Sequence, residues 1–206
     1  MAAEQKLVLE AVVDVRTAGD ERKPYPPGDL AIWIFILAEL LVFGVFFAAY
    51  AFTRMSHVEL FNQYQLTLDR DAALINTLAL LTSSYFAVRG VVAAREGNNA
   101  LCARWIWAAV AMGGVFLVVK TVEYAHHIGE GINLSTNEFY MFYLSLTFFH
   151  FMHVILGMVI LAAVALKAGR GGYSADDHTG VETGASYWHM VDLVWLILFP
   201  LIYVMR

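Results

Sequence analysis

From Leu30 to Thr53 the chain reads LAIWIFILAELLVFGVFFAAYAFT, and Glu39 is its one charge. A bilayer core takes about 20 apolar residues per helix. Four further stretches meet that length: Ala72 to Ala94, Leu101 to Tyr124, Phe139 to Leu166 and Ala185 to Met205. Composition agrees, since 60% of the 206 residues are hydrophobic and only 15% are charged. An ordinary soluble domain carries roughly 25% charged residues. The apolar excess is more than one core of this size can hide. The expected fold is therefore all-α and polytopic, with five transmembrane helices. Residues 1–29 form an N-terminal segment, and residues 30–206 form the membrane domain.

The remaining composition narrows the function classes. A net charge of -5 argues against nucleic acid as a partner. The single Cys102 excludes an intrachain disulfide framework and a cysteine-based metal cage. The opening MAAEQKLVLEAVVDVRTAGDERK lacks the apolar core of a signal peptide, so the first span is expected to stay attached. Asp29, after PYPP, is the expected N-cap of that span.

Lys and Arg set the expected orientation. Lys6, Arg16, Arg22, Lys23, Arg89, Arg95, Arg104, Lys167 and Arg170 fall on one side, and Arg54, Arg70 and Arg206 on the other. The N-terminus is expected in the cytoplasm and the C-terminus outside. Trp33, Trp105, Trp107 and Trp188 on the inner side, with Tyr50, Tyr140 and Tyr203 on the outer, read as interfacial belts. The spacings Ala109–Gly113 and Gly90–Ala94 read as close helix contacts within one bundle.

Polar residues inside the spans carry the functional question, because charge is costly there. Axial rise gives their depths. Glu39 lies roughly 14 Å from its boundary, His153 roughly 20 Å and His150 roughly 24 Å, which makes Glu39 and His153 candidate partners. His189, Asp192 and Arg89 lie roughly 6, 10 and 8 Å deep, which suggests Arg89 or His189 as the compensating partner of Asp192. Glu182 falls just outside that layer. Burial favours the neutral acid for a carboxyl such as Glu39. His150 and His153 share a helix face and read as interhelical hydrogen-bonding groups, with no metal site expected. Lys120 and Glu123 read as an i, i+3 pair with a snorkelling lysine near the outer face. His126 and His127 read as solvated interface residues. No phosphate loop, nucleophile elbow or zinc-protease motif occurs.

The runs WIFILAELLVFGVFFAAY from Trp33, LLTSS from Leu80, KTVEY from Lys120, TFFHFMHVILG from Thr147, and Glu182 followed by YWHMVDLVW from Tyr187 occur in that order. Together they resemble subunit III of the haem-copper oxidases, over nearly all the chain after Pro27. The five spans resemble the short bacterial form. The short third connection and the TFFHFMH variant, with Phe148 where oxidase subunits more often have Gly, look most like the small subunit-III-like protein linked to bacterial nitric oxide reduction.

The resemblance implies an accessory, non-redox subunit in the bacterial inner membrane. Such a subunit binds no cofactor of its own. It flanks a catalytic subunit bearing haem with copper or non-haem iron, holds phospholipid in a cleft, and supports proton uptake and protection from turnover inactivation. It also implies that Glu39 matches the family's carbodiimide-reactive carboxyl, and that His150, His153, Glu182, His189 and Asp192 match motif positions. Glu182, Trp188, Lys120 and Glu123 are candidates for lipid or partner contact. The alternative class is an independent transporter or channel built on Glu39, Lys120 and Glu123. A haem-binding electron carrier is a third.

Overall fold

A computed structural model describes residues 28–205. The expected segment 1–29 lies outside the described residues up to position 27, as do Lys6, Arg16, Arg22, Lys23 and Arg206 of the orientation argument. Helix α1 spans Leu30–Ser56, α2 Val58–Gln65, α3 Arg70–Arg95, α4 Asn99–Gly129, α5 Glu138–Gly169 and α6 Thr179–Phe199. A π-helical turn, Pro200–Val204, extends α6. No strand occurs among the described residues. Five of these helices, all but α2, are long and apolar enough to cross a membrane.

Local chemistry sets the boundaries. Asp29, Asp69, Asn98 and Asn137 each accept a hydrogen bond from the first turn of α1, α3, α4 and α5. The α3–α4 hairpin is the tightest. Gly97 at φ +72° ends α3, its N–H donating to Ala94 and that of Asn98 to Ala93, in a Schellman arrangement. Asn98 then caps α4 with no intervening loop.

The buried residues of the spans recur every three and four positions. On α4 they are Cys102, Ile106, Ala109, Gly113, Phe116, Lys120, Glu123 and His127. On α5, Tyr143, Thr147, His150, Val154, Gly157, Leu161, Val164 and Ala168 do the same. Such seams specify the shallow, coiled-coil-like crossing common in membrane bundles. Helices α3, α4, α5 and α6 form a closed ring in which each packs against the next, and α3 closes on α6. Helix α1 lies outside that ring against α6 and α5, and α2 packs across the end of α5. One end of the bundle holds the start of α1 and the α3–α4 and α5–α6 connections. We call it the near end; the other is the far end.

Small residues permit the closest approaches. A Cβ on Gly157 would sit 2.7 Å from the Trp188 ring, and one on Gly113 would sit 2.8 Å from it. Trp188 thus fills the space where α4, α5 and α6 converge. Gly90 faces Ile106 across the α3–α4 contact, where its Cβ would fall 2.5 Å away. The expected contacts within one bundle are present.

Several expectations need correction. Trp188, Tyr50, Tyr140 and Tyr203 are buried, not interfacial. Their rings fill gaps between helices, and three of them make ring contacts there. The last helix starts at Thr179, earlier than expected, because its polar first turn packs on neighbouring protein. Short α2 escaped the sequence reading because it is too short and polar to be a span. Its Phe61 and Gln65 are nonetheless buried.

Candidate functional site

Three polar clusters lie within the spans, each built differently. The far-end cluster is centred on Lys120, which is fully buried. Its ammonium donates to Glu123 Oε2 at 3.0 Å, to the Tyr203 hydroxyl at 2.6 Å and to the Tyr143 hydroxyl at 3.3 Å. All three ammonium protons therefore have acceptors. Glu123 Oε1 accepts from the Tyr143 hydroxyl and, at 2.9 Å, from the Tyr203 hydroxyl. The rings of Tyr124, Tyr143, Trp195 and Tyr203 surround the cation with centroids 4.9 to 5.8 Å away, within cation–π range. The lysine does not snorkel. Position 120 falls on the inward seam of α4, so the stem cannot reach the surface.

The second cluster joins α3 to α6. Ser84 Oγ donates to Asp192 Oδ2 at 2.8 Å and lies 3.2 Å from His189 Nδ1. A serine hydroxyl has one hydrogen. With that hydrogen on Asp192, His189 supplies its own Nδ1–H to the serine oxygen. This corrects the expected Arg89–Asp192 pair. Arg89 is exposed and lies over the Trp105 ring, 5.6 Å from its centroid. Ser84 and Arg89 are five residues apart, about 140° around the helix. Equal depth did not bring Arg89 to face Asp192. His189 is joined to Asp192 only through Ser84.

The third cluster links α1 to α5. His153 Nε2 lies 3.0 Å from Glu39 Oε2, and His153 Nδ1 lies 2.8 Å from the Phe149 carbonyl. A carbonyl only accepts, so Nδ1 carries a proton. The Glu39–His153 contact then shares a second one between carboxyl and Nε2. The pairing expected from depth is present. Glu39 is only partly buried, however: its side chain keeps 20% of its exposure and His153 keeps 11%. The expected buried carboxyl is a partly buried one at the edge of the bundle.

At the near end, Glu182 Oε1 accepts from Arg95 Nη2 at 2.7 Å and Nε at 3.1 Å, and Oε2 accepts from the Gly28 N–H at 3.2 Å. His178 Nε2 lies 3.3 Å from the same carboxylate. The Asp29 N–H donates to Thr183 Oγ1 at 3.1 Å. This set fastens the starts of α1 and α6 to the end of α3. Among the described residues, no three His, Cys, Asp or Glu side chains gather in a way that could hold a metal.

The family model for "Cytochrome c oxidase subunit III" matches residues 23–206. The chain belongs to the cytochrome c oxidase subunit III family. A relative from Thermostichus vulcanus named cytochrome c oxidase subunit 3 is 36% identical, over 85% of this chain and 86% of that protein. One of the same name from Synechocystis is 30% identical over 98% of this chain and 91% of its own length. A probable quinol oxidase subunit 3 from Staphylococcus saprophyticus is 29% identical over 84% and 87%.

Within this subunit III fold, the two histidines of the TFFHFMH run part company. His153 pairs with Glu39. His150 is fully buried with no hydrogen-bond partner among the described residues, and stacks instead on Trp195 at 5.3 Å, edge-on to Phe116 at 5.5 Å. The interhelical hydrogen bond expected for it is absent. Trp188, a candidate for lipid contact, is sealed inside the ring. His127 is buried rather than solvated, while its neighbour His126 is exposed. Sequence reasoning missed Ser84, Tyr143 and Tyr203. The first two lie on inward seams, the signal that would have found them. Tyr203 lies within the π-helical turn Pro200–Val204, where that period does not hold.

Proposed function

We propose that this chain is an accessory, non-redox subunit of a bacterial haem-copper oxidase, seated in the inner membrane against the haem-bearing catalytic subunit. One observation carries the reading: the unequal burial of α1. Of its apolar stretch 11% is buried, against 33% to 56% in the other four spans. Ile34, Leu37, Leu41 and Val45 leave a long apolar face open on α1. The half-buried Glu39–His153 pair lies along its flank. A surface of this kind suits contact with a second membrane chain and with phospholipid filling the remaining grooves. In that reading, Glu39 supports proton uptake by the catalytic subunit by holding an exchangeable proton at the subunit boundary. The N-terminus faces the cytoplasm, as the Lys/Arg distribution favours.

The names of the relatives, cytochrome c and quinol oxidases, favour an oxidase partner over a nitric oxide reductase. The test is purification from native membranes in mild detergent, followed by haem spectroscopy and mass identification of the co-purifying chains. An oxidase catalytic chain with its haem signature is expected. Recovery of a nitric oxide reductase chain would replace the partner and keep the accessory role. Recovery of this chain alone, with ion flux in liposomes containing only it, would overturn the reading in favour of a transporter.

A further inference from the structure

The far-end cluster is buried, but it has a neighbour that reaches the surface. A pocket of about 490 Å³ lies between the α2–α3 turn and α4, lined by Thr67, Asp69, Ala72, Val119, Glu123 and His127 among others. Glu123 and His127 form its inner wall. His127 is 4% exposed, and neither ring nitrogen has a hydrogen-bond partner among the described residues. Glu130 Oε2 is 3.7 Å from Nδ1, beyond hydrogen-bond reach. The His127 ring meets the Tyr143 ring edge-on at 5.6 Å, so it borders the Lys120–Glu123 cluster.

A buried imidazole with two unused polar atoms is costly unless water serves it. Water needs a space of sufficient size and several polar partners. The pocket supplies both: Glu123 and His127 at the wall, with Thr67 and Asp69 toward the far end.

We propose that this pocket is a water-filled inlet from the far end. It hydrates Glu123 and His127 and makes the Lys120–Glu123–Tyr143–Tyr203 cluster a proton-exchange site with the far aqueous face. The ligand class is water and the hydrated proton. The groups facing Glu123 are Lys120, Tyr143 and Tyr203 by hydrogen bonds, with His127 and Asp69 across the pocket and Glu130 beyond His127. The inlet is a dead end. Toward the middle of the bundle, the Phe116, Trp195 and His150 rings stack across its path. The Glu39–His153 pair is a separate site, on the α1 side of α5. This proposal stands independently of the identity of the partner subunit.

Radiolytic hydroxyl-radical footprinting of the whole complex in nanodiscs tests it. Pulsed X-rays convert bound water to radicals that mark adjacent side chains, and mass spectrometry reads the marks. His127, on the pocket wall, is expected to be modified roughly an order of magnitude faster than Phe61, a buried ring packed against Tyr50 and Phe139. Ala72→Phe, which fills the pocket from its wall, is expected to suppress that labelling while leaving exposed His126 labelled. Labelling of His127 as slow as that of Phe61 would mean a dry or lipid-filled pocket and overturn the proposal. Fast labelling that survives Ala72→Phe, in a variant assembled as wild type, would overturn this route. Oxidase assembly is scored separately, so failure of the inlet and failure of the accessory-subunit reading are distinguishable.

Discussion

Helix α1 and the ring of α3 to α6 hold a carboxylate in the membrane by opposite means. Glu39 on α1 has one basic partner, His153, at the rim of the bundle. Glu123 in the ring has an ammonium and two phenols inside the bundle, and meets only the far-end pocket outside it. Removing one member of that cluster strands a charge. Removing one from the rim leaves a group that partner, lipid headgroup or water can still reach. The ring is thus where polar residues also specify packing, and α1 is where a polar pair stays available to another membrane chain or to lipid.

That contrast orders the expected effects of substitution. Lys120→Met should be the most damaging, at about 3–5 kcal/mol, because Glu123 is left buried without its counter-charge. Thermal unfolding in detergent measures it. The double variant Lys120→Met/Glu123→Leu should recover most of the loss, since apolar replacement of a whole buried pair is often neutral. A double variant no better than the single one would show that the phenol hydrogen bonds, not charge balance, hold the far end.

Gly157→Ala places a methyl group 2.7 Å from the Trp188 ring. It should destabilise by about 1–3 kcal/mol through overpacking, seen as a lower unfolding midpoint and altered Trp fluorescence. Ser84→Ala should cost about 1–3 kcal/mol by leaving Asp192 without its donor. An Asp192→Ala change should likewise lower bundle stability and assembly before it alters any redox property of the complex. Unchanged assembly, stability and lipid content would sink that expectation.

Glu39→Gln should be the mildest for the chain itself, within about 1 kcal/mol, because the amide can still hydrogen-bond His153. Its effect should appear instead in the complex, as slower proton uptake or faster turnover inactivation. Loss of fold stability with full activity would reverse the assignment of roles to the two regions.

The five spans were legible because lipid demands length and apolarity, and both are visible in a one-dimensional string. Axial position was legible too, which is why Glu39 and His153 could be matched. Rotation about the helix axis decides the remaining cases. Arg89 has the depth of Asp192 but faces away from it. Lys120 sits close enough to a span end to snorkel, yet it points inward. The three-and-four spacing from Cys102 to His127 would have oriented Lys120 correctly. That spacing does not reach Tyr203, which lies within the π-helical turn, where the count of residues per turn changes.

The composition of the far-end cluster also bears on how the chain enters the bilayer. Lys120 and Glu123 are neighbours on one helix, so they can neutralise each other as soon as α4 is made. Tyr143 arrives with α5, and Tyr203 only with the π-helical turn that follows α6. A translocating α4 therefore carries its own counter-ion through insertion, and the phenols are added later as successive helices dock. Had the acid been placed on α5 or α6, a bare ammonium would have had to wait in lipid for a partner not yet synthesised.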